Sequence, residues 1–104
     1  MTVVSIKKAD ACVEGNIGYD VVFDEAIDKN FTDYLGMLGK YIYNDAFDVP
    51  FYKVIIRGMY SIKGSIGNYS LRLLIPESIE ADIIDKFKKY VDKYQSYDLE
   101  VRND

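Results

Sequence analysis

The chain has 104 residues, of which 49% are hydrophobic and 29% charged, and its formal net charge is −4 at pH 7. This length predicts a single domain over residues 1–104, and the apolar content excludes a disordered chain. The acidic balance argues against nucleic acid as a partner, because binding to phosphate backbones depends on clustered Lys and Arg.

Two scarce residue types narrow the chemistry further. The sequence has no histidine, which excludes histidine-based nucleophile activation and most zinc sites, and we expect no metal and no cofactor. Its one cysteine, Cys12, excludes an internal disulfide and is typical of a reducing compartment, so a cytoplasmic location is expected. No apolar run approaches the ~20 residues that span a bilayer, so no membrane partner is expected.

The first half of the chain predicts three strands followed by a helix. Alternating or β-rich stretches indicate strands at 3–7, 11–14 and 17–23. A helix is expected to begin at about Asp28 or Asn30 and to reach Lys40. Gly36 weakens this helix, since glycine costs about 1 kcal/mol relative to alanine in a helix interior.

The second half predicts the same order of elements. Strands are expected at 51–57, 60–63 and 68–75, and the aromatic, acidic segment 41–50 is expected to be an ordered connection between the halves. An amphipathic helix follows Ser78, because apolar residues recur there at steps of three or four. These apolar residues are Ile79, Ile83, Phe87, Tyr90 and Tyr94.

A repeated glycine motif predicts an internal duplication. Residues 13–18 and 62–67 share the pattern Gly-x-Ile-Gly, and a weaker match extends over residues 3–40 and 53–91. The alternative is two unrelated hairpins with similar turns. The predicted fold is α+β, with an antiparallel sheet of about six strands, two helices on one face, and a βββα unit used twice. A ferredoxin-like sandwich of the same elements is the alternative architecture.

The sheet face turned away from the helices is predicted to collect basic side chains. Neighbouring residues of a strand point to opposite faces, so the partners of the inward-facing residues share this surface. A candidate anion site follows, in which basic side chains are joined by backbone N–H groups of two glycines. Its residues are Lys53, Arg57, Lys63, Gly64, Gly67 and Arg72. Alternatively, the basic residues pair with cross-strand acids and the glycines serve only turns.

Tyrosines and the end of the sequence indicate an interface. Ten tyrosines are many for this length, and they favour a contact surface, a ligand pocket or a tyrosine-rich rim of a small core. Tyr97, Leu99 and Val101 alternate with polar residues, which predicts a last edge strand that contacts another chain.

These patterns favour a small binding or protein-interaction module rather than an enzyme. The expected partners are a second copy of the chain in a homodimer, another protein, or a small anion held on the open sheet face. Two alternatives stay open. One is a histidine-free enzyme or enzyme subunit with a Tyr/Arg pocket at a dimer interface, and the other is a structural subunit that completes the sheet of a partner protein.

Overall fold

A computed structural model describes residues 1–13, 15–46 and 48–94. The described strands form one six-stranded antiparallel sheet in the order β1-β2-β6-β5-β4-β3. The strands are β1 (Val3–Val13), β2 (Asn16–Phe23), β3 (Lys40–Asn44), β4 (Phe51–Ile56), β5 (Tyr60–Ser65) and β6 (Ser70–Pro76), and the helices are α1 (Lys29–Gly36) and α2 (Glu80–Asp92). A 3₁₀ turn at Glu77–Ile79 leads into α2. The predicted α+β class is confirmed.

The order of elements differs from the predicted double βββα unit. Two strands are predicted at 3–7 and 11–14, but the described residues 3–13 form the single strand β1, which contains a register shift between Lys8 and Cys12. The segment 41–50, predicted as a connection, begins with most of β3, which pairs along β4. The element order is therefore ββα followed by ββββα, and neither the internal duplication nor the ferredoxin-like alternative is confirmed.

The first helix is shorter than predicted because the chain turns back at Gly36. A Cβ atom on Gly36 would lie 2.6 Å from Cδ2 of Tyr41, so this glycine allows the first side chains of β3 to pack against the end of α1. The start of the helix agrees with prediction, since the Asp28 carboxylate accepts a hydrogen bond from the Phe31 amide at 2.9 Å. Glycine at this position serves close packing.

The core lies between one face of the sheet and the two helices. Its sheet residues alternate along β2, β4, β5 and β6, as half-buried strands require. The buried core includes Val21, Phe23, Tyr52, Val54, Ile62, Leu71, Leu73 and Ile75 from the sheet, and Phe31, Leu35, Ile83, Phe87 and Val91 from the helices. No helix in the described ranges has the length and apolar content needed to cross a membrane.

A reciprocal tyrosine pair joins the two helices. The rings of Tyr34 and Tyr90 stack with centroids 4.2 Å apart. The Tyr34 hydroxyl donates to the Tyr90 carbonyl oxygen at 2.7 Å, and the Tyr90 hydroxyl donates to the Tyr34 carbonyl oxygen at 2.6 Å. Several tyrosines therefore belong to the core and its rim, which is one of the roles that their number predicts.

Candidate functional site

The open face of the sheet carries a row of charged side chains across five strands. The strand register places Lys7, Asp20, Arg72, Lys63 and Lys53 opposite one another in turn, on β1, β2, β6, β5 and β4. Directly opposite residues project to the same face, and adjacent strands are about 4.8 Å apart, so this charged row is about 19 Å long. Three of the predicted site residues are thereby brought into line.

One cation of the row has an acidic partner. Nε of Arg72 donates to Oδ1 of Asp20 at 2.9 Å, and Nη2 donates to Oδ2 at 3.4 Å. These hydrogen bonds raise the pKa of Arg72 above its ordinary value, so the guanidinium stays charged. Both side chains are more than 40% exposed, and such pairs add little to stability. The alternative interpretation, in which the basic residues pair with acids on neighbouring strands, therefore holds for Arg72 but leaves some of its N–H groups without a partner in this pair.

The two lysines of the row face each other. Lys53 on β4 is directly opposite Lys63 on β5, and neither belongs to an ion pair within the described part of the chain. Like charges directly opposite on neighbouring strands are unfavourable. The sheet therefore holds an uncompensated pair of cations beside Arg72.

Strands β5 and β6 separate immediately next to the charged row. Their register runs from the pair Ser61↔Leu74 to the pair Lys63↔Arg72. Beyond that pair, β5 continues along β4 as far as Ser65, while β6 is paired with β2 back to Ser70. Each strand thus stays with its outer neighbour while the two diverge. We call this opening the strand fork.

Backbone hydrogen bonds anchor the connection between β5 and β6, which closes one end of the strand fork. The amide of Ile66 donates to the carbonyl oxygen of Pro50 at 2.9 Å, which ties one side to the chain before β4. The amide of Gly67 donates to the carbonyl oxygen of Ile27 at 2.8 Å, which ties the other side to the chain before α1. Gly67 has a φ of 90°, a conformation that favours glycine, so its role here is in the turn.

The strand fork contains a groove of about 440 Å³. The lining of the groove includes the cations Lys53, Lys63 and Arg72, the neutral polar residues Ser65, Asn68 and Ser70, the carboxylate of Asp20 and the apolar residue Phe51. Its volume lies within the range of small-molecule sites, which is roughly 300–1,000 Å³. Cationic and hydrogen-bonding groups are therefore combined in one opening of the sheet.

Gly64 lies at the groove and gives space to a buried tyrosine. It is paired with Tyr52, and a Cβ atom on Gly64 would lie 2.6 Å from the Tyr52 hydroxyl oxygen. Tyr52 is fully buried, and its hydroxyl has no hydrogen-bond partner among the described residues. Burial raises the pKa of Tyr52. An unpaired buried hydroxyl costs about 1–3 kcal/mol.

Arg57 does not lie beside the other basic residues of the candidate site. β4 ends at Ile56, and Arg57 is exposed in the turn that follows. It is four residues beyond Lys53, or about 13 Å along an extended strand, and it does not line the groove. Arg57 therefore does not join Arg72 in one anion site, as the sequence pattern predicts, and Lys53 is the residue beside Lys63.

Sequence patterns missed some groove residues. Alternation along β6 places Ser70 on the face of Arg72. Asp20 comes from β2, so its proximity depends on the pairing of β2 with β6, and Asn68 lies in the connection between β5 and β6. The predicted interface at Tyr97, Leu99 and Val101 lies outside the described residues.

Neither a group of metal ligands nor a similar known protein indicates a function for this site. Within residues 1–13, 15–46 and 48–94, no three Asp, Glu, Cys or His residues group as metal ligands. Comparisons with protein-family models, curated proteins and solved structures found no match to this chain. The geometry of the charged row and of the strand fork is therefore the basis for a functional proposal.

Proposed function

We propose that this protein is a binding module that holds an anionic group on the open face of its sheet. The observation that carries the proposal is the pair Lys53↔Lys63, which has no carboxylate partner among the described residues. A phosphate or carboxylate bound between the two lysines would convert their repulsion into attraction to a shared anion. Binding would thus relieve an unfavourable feature of the free protein.

The local charge supports this choice of ligand. Lys53, Lys63 and Arg72 contribute +3 and Asp20 contributes −1, which leaves +2 around the groove, although the whole chain carries −4. A concentrated positive patch draws anions to one place, while the surrounding negative surface disfavours extended polyanions such as nucleic acid. The ligand is therefore a compact anion or a short acidic segment of a protein.

A second copy of this chain is one source of such an acidic segment, because the chain is itself acidic. A homodimer would then be held by the same basic residues. The alternative of a small enzyme gains no support from the groove, since the one carboxylate among its described lining residues, Asp20, is engaged by Arg72.

The proposal can be tested by titrating ¹⁵N-labelled protein with pyrophosphate and, separately, with a hexaglutamate peptide at low ionic strength. We expect at least one probe to shift the amides of β4, β5 and β6 around the charged row. The variant Lys53→Gln/Lys63→Gln should weaken that binding about tenfold or more, since hydrogen bonds to charged groups contribute about 1.5–3 kcal/mol each.

The matched control is Lys86→Gln/Lys93→Gln, which removes the same charge from exposed positions in and just after α2. If neither probe binds, or if the control weakens binding as much as the row variant, the proposed site is wrong. Light scattering of the same samples would show whether the row variant also dissociates a dimer, which would identify a second copy as the natural anionic partner.

A further inference from the structure

We infer that the strand fork is a site for a small phosphorylated molecule that also carries hydroxyl groups, such as a pentose phosphate. This inference rests on the proposed function and names the class of ligand. It is carried by the combination, in one groove, of Lys53, Lys63 and Arg72 with Ser65 and Ser70.

The fork is a preformed opening in the sheet. The connection that joins β5 to β6 at its end is fixed by backbone hydrogen bonds from Ile66 to Pro50 and from Gly67 to Ile27. A third bond, from the Phe23 amide to the Tyr69 carbonyl oxygen at 2.7 Å, attaches the start of β6 to the end of β2. A ligand would therefore enter without having to separate the strands, and little ordering would oppose binding.

The cations of the groove fit a dianion better than a single carboxylate. A phosphate monoester carries about −1.5 to −2 near neutral pH, which balances the local charge of +2. Arg72 has five N–H donors and uses two of them on Asp20, so three remain for a ligand. The two hydrogen bonds to Asp20 at the same time orient the guanidinium plane.

The spacing of the cations favours one compact ligand over an extended acidic segment. Lys53, Lys63 and Arg72 occupy three adjacent strands and span two strand spacings, or about 10 Å. Carboxylates on one side of an extended peptide recur about every 6.6–6.8 Å, which does not match the interstrand spacing of about 4.8 Å. A single small molecule can contact all three cations from within the groove.

The neutral residues of the groove supply the second part of the recognition. The hydroxyls of Ser65 and Ser70 each donate one hydrogen bond and accept others, and the amide of Asn68 does both. These groups suit the hydroxyls of a sugar or polyol, which also donate and accept. The groove is large enough for such a group in addition to its phosphate.

The test compares ribose 5-phosphate, ribose, inorganic phosphate and hexaglutamate by isothermal titration and amide-shift mapping. We expect ribose 5-phosphate to bind about tenfold more tightly than inorganic phosphate, as two or more neutral hydrogen bonds would provide. Ribose alone should not bind measurably. Ser65→Ala/Ser70→Ala should remove the tenfold difference and leave the affinity for inorganic phosphate unchanged, whereas Lys63→Gln should weaken both phosphate ligands.

The control is Ser61→Ala, which removes a hydroxyl from the same strand without touching the groove lining. If hexaglutamate binds while ribose 5-phosphate binds no more tightly than inorganic phosphate, the inference is overturned and the proposed function stands. If none of the anions binds, both fail. An equal loss from Ser61→Ala would also overturn the inference, because it would show that the serine effects are not specific to the fork.

Discussion

Replacing Lys63 with glutamate would reverse one charge of the charged row, at a position between two other cations. Lys63 lies between Lys53 on β4 and Arg72 on β6, so the substitution turns two like-charge neighbours into two opposite-charge neighbours. The side chain is exposed, which limits any strain from the shorter glutamate. We expect Lys63→Glu to stabilise the free protein and to abolish anion binding.

The magnitude follows from the cross-strand pairs. Each pair contributes about 0.2–1 kcal/mol, favourable or unfavourable according to sign, and exposure places these pairs near the lower end. Reversing two pairs should therefore raise the free energy of unfolding by about 1 kcal/mol. For a domain of this size that corresponds to an increase in Tm of about 4–8 °C. In about 1 M NaCl, where the Debye length is only about 3 Å, the gain should largely disappear.

Urea and thermal unfolding at low and high salt, followed by circular dichroism, would measure this effect. Lys63→Gln is the matched control, because it removes the like-charge pairs without adding opposite ones, and it should give about half the gain. The reasoning would be refuted if Lys63→Glu destabilised the protein, or if the gain were the same in concentrated salt. A stabilised variant that still bound the anionic probes would refute the assignment of Lys63 to the site.

Three further perturbations test the fold around the site. Gly64→Ala should destabilise the protein by about 1–3 kcal/mol, because its Cβ atom would lie 2.6 Å from the Tyr52 hydroxyl oxygen, and adding Tyr52→Phe should recover part of the loss in urea unfolding. Asp28→Ala removes the cap of α1 and should lower the free energy of unfolding by about 0.5–2 kcal/mol. Burial raises the pKa of Tyr41 and of Tyr60 to about 12 from an ordinary value of 10.0. The stability that these two protonated hydroxyls contribute is therefore complete below pH 10 and should be lost as the pH rises through about 12.

Each of these expectations has an outcome that contradicts it. A Gly64→Ala loss that is unchanged in the Tyr52→Phe background would show that the added methyl meets something other than the hydroxyl. An Asp28→Asn variant as unstable as Asp28→Ala would argue against capping, since asparagine caps helices as well. Alkaline unfolding that is identical in a Tyr60→Phe variant would remove Tyr60 as a cause of the loss at high pH.

Local sequence patterns were sufficient to predict those elements whose hydrophobic periodicity shows which face is buried. The alternation of β6 and the three- and four-residue steps of α2 are complete in the sequence, and both elements occur close to where they were predicted. β3 was missed because it has only five residues and follows directly after the turn at Gly36. Its place is set by pairing with β4, which a local pattern does not contain.

The sequence could predict which basic residues belong to the site but not how they are arranged. Alternation alone places Lys53, Lys63 and Arg72 on the face away from the helices, as the sequence indicated. Their alignment in one row depends on the register among β4, β5 and β6, and the partner of Arg72, Asp20, depends on the pairing of β6 with β2. These are long-range properties, and so is the separation of β5 from β6 that forms the groove.

Two unfavourable features occupy adjacent positions of the β4–β5 ladder, on opposite faces of the sheet. The pair Lys53↔Lys63 places like charges together on the open face, and the next pair, Tyr52↔Gly64, holds an unpaired buried hydroxyl on the helix-facing side. Sequences generally agree with their folds at every level, and local conflicts concentrate where binding or catalysis requires them. The buried hydroxyl belongs to the core side of the sheet and concerns stability. The lysine pair lies on the open face at the groove of the strand fork, where it favours a site shaped for a ligand over a solvated sheet surface.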